Sequence, residues 1–275
     1  MNQENNLEKT EESIVIGEQN SSQSESTNKI NPELKEMSLT AHLEELRQAI
    51  IISIFSLVIT SGLCFYFNRQ LFDLLTAPLT QNVKNVELIF VSPGEAFSAT
   101  LRSSLITGLI LAMPVILNRI FWFISPGLTK SEKAMSLPIV IVAYLLFLAG
   151  AFFSYFALLP FGVKFLVEFA PQNIHPMISI GSYISFSSTL ILGTGLIFEL
   201  PLILLFLGFL GIINSTKLIK FRKYAVLTSF IIGAIVTPSV DMVTQSLLAG
   251  ALYLLYEMSI ILVRALDFRR AKKSI

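Results

Sequence analysis

His42-Leu43-Glu44-Glu45-Leu46-Arg47 is the last charged stretch before nineteen uncharged, mostly apolar residues, Ala49 to Phe67. A helix of that length covers ~28 Å, close to the hydrocarbon thickness of a bilayer. On such a helix Leu39, Leu43, Leu46 and Ile50 fall on one face. Glu45 and Arg47 then sit within a turn of the water–lipid boundary. A carboxylate held at that boundary can bind a cation, and the rest of the chain must say which kind.

Composition agrees with a membrane setting. The hydrophobic fraction is 53%, charged residues are 14% and the mean hydropathy is +0.69, whereas soluble domains carry about 25% charged residues. The net charge of +1 decides nothing, and nothing points to nucleic acid. One cysteine, Cys64, lies inside the first apolar segment, which excludes a disulfide framework. The two histidines, His42 and His175, are far apart, so no zinc or haem site is expected. The sequence implies no cofactor.

Residues 1–36 are rich in Asn, Gln, Ser and Glu, and they read as a disordered cytoplasmic tail. The tail is too acidic for an organelle transit peptide and has no early apolar run like that of a secretory signal. Six apolar segments fill residues 37–265: Ala49–Phe67, Ser103–Ile124, Leu137–Phe161, Tyr183–Ile213, Tyr224–Thr237 and Leu247–Val263. The fourth is interrupted by Glu199 and Pro201. The fifth gives only about 21 Å of helix, so the last two read as a shallow hairpin turning at Thr237-Pro238-Ser239. Residues 266–275 read as a basic cytoplasmic tail. The expected fold is an all-α integral membrane protein with six transmembrane helices. The last two are short, and the Pro- and Gly-broken residues 68–102 form an outer cap of short helices.

Orientation follows from Lys and Arg in the loops. With six spans, the side shared by both termini holds fourteen of them, including Lys130, Lys133, Lys217, Lys220, Arg222 and Lys223. The other side holds four: Arg69, Lys84, Arg102 and Lys164. Both termini are therefore expected in the cytoplasm.

Glu199 is the sharpest single feature. A carboxylate far inside a span is costly unless paired, protonated or facing water, so a functional role is the default reading. The alternative is a glutamate that fixes packing by bonding a neighbouring helix. Pro201 frees a backbone carbonyl and bends the helix there. Glu257 sits nearer the end of its own helix, with function and packing equally open. Glu132, in Ser125-Pro126-Gly127-Leu128-Thr129-Lys130-Ser131-Glu132-Lys133, reads more simply as a favourable charge in a helix's first turn. Glu45 and Arg47 are open to the same reading as solvated helix charges. Asp241 and Gln245 fit a cap and a packing contact. No phosphate-cradling loop, metal spacing or nucleophile–base pair is present, so an enzyme is not expected.

Taken in order, these strings resemble the TatC family, the polytopic receptor subunit of twin-arginine protein translocases. The resemblance covers residues 38–265. It rests on His42-Leu43-Glu44-Glu45-Leu46-Arg47, Ala77-Pro78-Leu79, Pro93-Gly94-Glu95-Ala96-Phe97 before Arg102, Pro114, Ser125-Pro126-Gly127-Leu128 with Glu132, Phe198-Glu199-Leu200-Pro201, and Thr237-Pro238 with Asp241 and Gln245. The chain departs from the family pattern at Ala49, Asn118-Arg119 and Arg102.

The resemblance implies a receptor for signal peptides with paired arginines, exporting folded proteins at the expense of the proton-motive force. By position, Glu45 and Glu132 form its recognition patch, with Arg47 beside them. Carboxylates suit that task, because guanidinium pairs with them bidentately and lysine does not. The resemblance also places Glu199 and Pro201 on an intramembrane groove. Thr237, Asp241 and Gln245 become contacts for single-span TatA- and TatB-type partners, in a complex holding multiple copies. The membrane is a bacterial plasma membrane or a thylakoid membrane. The rival reading is a proton-coupled transporter of a small solute, with Glu199 as relay. It calls for paired broken helices in two repeated halves, and only one strong interruption is visible. A scaffold for other membrane subunits is a third reading.

Overall fold

The protein is described by a computed structural model covering residues 39–83, 87–124, 136–169, 171, 176–237 and 241–273. The expected tail 1–36 and the loop holding Glu132 lie outside these residues. Helix α1 spans Leu39–Tyr66 and leads into α2, Asn68–Asn82. Strand β1, Glu87–Ile89, precedes α3, Glu95–Ile124. Helix α4, Ser136–Phe153, continues through a π-helical turn at Ser154–Leu158 into α5, Leu159–Glu168. Strand β2, Met177–Ser179, opens α6, Ile180–Phe198, which is followed by α7, Leu200–Phe209. Helices α8, Ser215–Val236, and α9, Met242–Lys273, complete the chain.

Among the described residues, five stretches are long and apolar enough to cross a membrane: His42–Tyr66, Glu95–Ile124, Leu137–Glu168, Ile180–Phe209 and Met242–Arg270. Helix α8 falls outside that set because its first turns hold Lys217, Lys220, Arg222 and Lys223. At 22 residues it is longer than its apolar part, having absorbed the polar run Ser215–Lys223 as ordinary helix. Asn214 caps its start, accepting from Lys217 N–H at 3.0 Å.

The kinks have local causes. Pro201 has no N–H to donate, and its ring crowds the carbonyl four residues back. The expected bend is present as a break at Glu199, with Leu202 and Ile203 both donating to the Glu199 carbonyl at 3.0 Å. The π turn at Ser154–Leu158 lies just before Pro160 and widens the helix where that proline would otherwise clash.

Small residues set the helix crossings, as expected where apolar lipid gives helices no reason to associate except close fit. Helix α4 meets α6 at Gly150, where an added Cβ would lie 2.7 Å from the Thr194 carbonyl oxygen and 2.9 Å from Gly195 Cα. Helix α1 touches α3 at Gly108, whose carbonyl accepts from Thr60 Oγ1 at 2.8 Å. Much of the rest of α1 is exposed, with Ile51, Phe55, Val58 and Ile59 facing outward and Cys64 buried.

The cap is only partly helical. Helix α2 is the expected short helix, fixed by Tyr155 and Tyr183 hydroxyls donating to the Leu74 and Leu75 carbonyls at 2.7 and 3.0 Å. Beside it, β1 and β2 form a parallel two-stranded ribbon, Glu87 opposite Met177 and Ile89 opposite Ser179. Parallel strands need a long crossover, and here it is the antiparallel pair α3 and α4–α5. The all-α expectation is corrected to that extent. Three-residue strands are too short to show alternation.

Candidate functional site

An apolar cavity of about 450 Å3 opens between α3, α4 and the broken α6–α7 span. Met113, Leu117 and Phe121 form one wall, Val140 and Ala143 a second, and Leu202 and Phe206 a third. Among the described residues, Glu199 is the only charged one in its lining. Its side chain is 7% exposed, and Oε1 is buried with no hydrogen-bond partner among the described residues. The break places it there: α6 ends, the chain steps round Pro201, and the carboxylate turns into the space between the helices. Such a group at membrane depth retains its hydrogen-bonding capacity for an incoming ligand.

Glu45 is half-buried on α1, beyond the end of the apolar run. Arg47 is exposed and paired with Glu44 at 3.3 Å. That pair is i,i+3 on a solvated helix surface and contributes little to stability. Glu132, the other expected recognition carboxylate, lies outside the described residues.

The three expected partner-contact residues share the α8–α9 turn, and their polar atoms face inward. Thr237 is buried and donates to the Gly233 carbonyl at 2.8 Å. Asp241 is the buried cap of α9, accepting from Thr244 N–H at 2.6 Å and from the Thr244 hydroxyl. Gln245 donates from Nε2 to the Phe230 carbonyl at 3.2 Å, tying α9 to α8. Glu257 has a packing role as well: it accepts from Arg222 at 2.7 Å and from the Tyr253 hydroxyl at 2.9 Å.

Two further clusters escaped the sequence reading. Glu95, at the start of α3, gathers the cap by accepting four hydrogen bonds. The donors are Val91 N–H at 2.6 Å, Ser92 N–H at 3.2 Å, Gly181 N–H at 2.7 Å and the Ser179 hydroxyl. The string Pro93-Gly94-Glu95 marks the position, but nothing in it reveals the partner strand. At the opposite end, α9 continues as helix through 266–273, most of the stretch expected as a tail. There Asp267 accepts from Ser215 N–H at 2.9 Å, while Arg270 donates to the Gly208 and Phe209 carbonyls. One turn of α9 thus caps the end of α7 and the start of α8, across a turn where Gly211 adopts φ 74°.

These features define a multi-pass helical membrane protein with a lone buried carboxylate in an apolar, membrane-depth cavity. The family model described as Sec-independent protein translocase protein (TatC) matches residues 41–250. The chain belongs to the TatC family. It is 42% identical to the Sec-independent protein translocase protein TatC of Aquifex aeolicus, over 82% of this chain and 94% of that one. It is 41% identical to the chloroplastic TATC of Pisum sativum, over 82% of this chain and 63% of that longer one. A crystal structure of the twin arginine translocase receptor TatC superimposes with a TM-score of 0.71 at 43% identity, covering 80% of this chain and 97% of that one.

Proposed function

We propose that the chain is the receptor and core subunit of a twin-arginine translocase, binding paired-arginine signal peptides and passing folded proteins across the membrane. The supporting observation is the cavity around Glu199: an apolar trough at membrane depth, open beside the ends of α3 and α4. A signal peptide has an arginine-bearing end and an apolar stretch. Glu45 and Glu132 take the arginines by charge-assisted bonds, with Arg47 held aside by Glu44. The apolar stretch then lies against α3 and α7, over Glu199 and the Pro201 break.

In this reading α8 and α9 complete six spans, and both termini lie in the cytoplasm or stroma. Single-span TatA- and TatB-type proteins dock at the α8–α9 hairpin, whose end is shaped by Thr237, Asp241 and Gln245. Several copies assemble, and the proton-motive force drives transport. Among the described residues the helices pack on one another around spaces far too small for a folded domain, so passage requires those partners. No step is enzymatic.

Photo-crosslinking of a twin-arginine signal peptide to membranes holding the protein tests the reading. Crosslinks are expected to require both arginines and to vanish in Glu45→Ala/Glu132→Ala. Equal crosslinking of a Lys-Lys peptide, or full crosslinking to a folded double variant, overturns it.

A further inference from the structure

A second apolar space lies between α7, α8 and α9. It is a slot of about 250 Å3 walled by Leu200 and Leu204 of α7, Ala225 and Ile232 of α8, and Leu252 and Tyr256 of α9. From Phe221 to Ile232 it runs ~16 Å along α8 at the helical rise. It therefore reaches from mid-depth to the boundary where α8 becomes charged. Two of its polar neighbours are already engaged: the Ser229 hydroxyl donates to the Ala225 carbonyl at 2.7 Å, and the Tyr256 hydroxyl to the Leu218 carbonyl at 2.8 Å. A space this slender does not seat a helix ~10 Å across. It fits one hydrocarbon chain.

Beside the Phe221 end of the slot, α8 carries Lys220 and Lys223. Phe221 and Tyr224 form the mouth of the slot, their ring centroids 5.7 Å apart. The Lys223 ammonium stands 5.0 Å from the Tyr224 ring centroid. Lys220 lies one turn before Tyr224 on the same helix face. Arg222 is neutralised by Glu257 at 2.7 Å, but neither Lys220 nor Lys223 enters an ion pair among the described residues. No carboxylate lines the slot among the described residues.

We propose that the α7–α8–α9 slot binds one anionic phospholipid. Its headgroup phosphate rests on Lys220 and Lys223, and one acyl chain lies along Ala225, Thr228 and Leu252. Basic groups at the polar end of an apolar inter-helix slot complement this class of molecule, which offers a phosphodiester anion and a chain on one scaffold. Helix α7 separates this slot from the Glu199 cavity, with Leu200 and Leu204 on the lipid side and Leu202 and Phe206 on the other. A bound chain thus braces the wall of the other cavity.

Native mass spectrometry of the full chain, released from detergent with acyl-matched phosphatidylglycerol or phosphatidylcholine, tests the proposal. One phosphatidylglycerol is expected to be retained, and phosphatidylcholine to bind at least about tenfold more weakly. Lys220→Gln/Lys223→Gln is expected to weaken retention about 25-fold, each lysine supplying roughly fivefold. Ala225→Phe, which fills the slot and keeps both lysines, lowers retention too, while Lys220→Arg/Lys223→Arg preserves it and controls for folding. A phosphatidylglycerol with a carbene-generating group midway along its chain labels the slot walls: α8 between Phe221 and Ile232, α9 near Leu252, or α7 at Leu200 and Leu204. Equal retention of the two lipids, unchanged retention in the Lys→Gln variant, or labelling elsewhere overturns the proposal. So does a crosslinker at Thr228 that captures a single-span protein and no lipid, which makes the slot a helix seat.

Discussion

At the scale of single residues, stability and function pull against each other at Glu199. An unpartnered buried polar group costs about 1–3 kcal/mol, and no described neighbour of Glu199 offsets that. Glu199→Leu is therefore expected to raise the melting temperature in detergent, by an amount corresponding to ~1–3 kcal/mol. The same variant loses signal-peptide crosslinking in the membrane. A fall in both readings would mean that the carboxylate holds the fold together and the cavity is incidental. Glu95 gives the opposite expectation. Its carboxylate accepts from two loop amides, the Gly181 amide and the Ser179 hydroxyl. Glu95→Ala leaves those donors unmatched and is expected to lower the melting temperature. Glu95→Gln keeps one acceptor oxygen and should fall between. Sequence alone reveals only one of these two glutamates. Glu199 stands out because its neighbours are apolar. Glu95 sits among Ser, Pro and Gly and looks like any loop charge until β2 is brought beside it.

Among the helices, those with plain apolar runs were legible, and their ends were not. The break after α6 was readable because Pro201 acts on its own backbone, a local effect. The reach of α9 to Lys273 was not, because Asp267 and Arg270 act on a turn more than fifty positions earlier in the chain. That clamp makes a prediction for the element it holds. Removing residues 266–275 uncaps the end of α7 and the start of α8, so protease cleavage near Gly211 is expected to accelerate. Arg270→Ala should reproduce part of the effect, and identical cleavage in all three proteins would refute a clamping role. The α4–α6 crossing offers a sharper test of packing. A Cβ at Gly150 would fall 2.7 Å from the Thr194 carbonyl oxygen, whereas one at Gly62 on α1 meets nothing within 4 Å. Gly150→Ala is expected to cost ~1–3 kcal/mol through overpacking. Gly62→Ala should be neutral, or gain at most ~1 kcal/mol from helix propensity. Thermal melts of the two variants side by side separate a tight crossing from a general intolerance of change.

For the whole molecule, the number of membrane crossings turns on α8. Five stretches qualify by length and hydropathy, and α8 is the exception. Helix α8 is about 33 Å long at the helical rise, enough for a ~30 Å hydrocarbon layer, yet its apolar part from Tyr224 to Val236 covers only ~20 Å. Its partner α9 begins behind the buried cap Asp241, and Thr237 at the end of α8 is buried too, polar groups that hydrocarbon would not tolerate uncovered. If α8 crosses, the bilayer must thin around the hairpin or the turn must be covered. If it is re-entrant, Met242 lies on the same side as Asn214. Thiol labelling distinguishes the two. The native Cys64 is buried, 4% exposed, and gives little background. With Cys64→Ser as parent, Asn214→Cys is expected to react with a membrane-impermeant maleimide only from the side of the amino terminus. Met242→Cys, at a position 81% exposed, is expected to react only from the opposite side. Reaction of both from one side would reduce the chain to five crossings. It would also place the carboxyl terminus opposite the amino terminus, against the distribution of Lys and Arg. Six crossings are the expected result, because Lys220 and Lys223 at one end of α8 and the Thr237 turn at the other leave the short apolar part no polar exit but across.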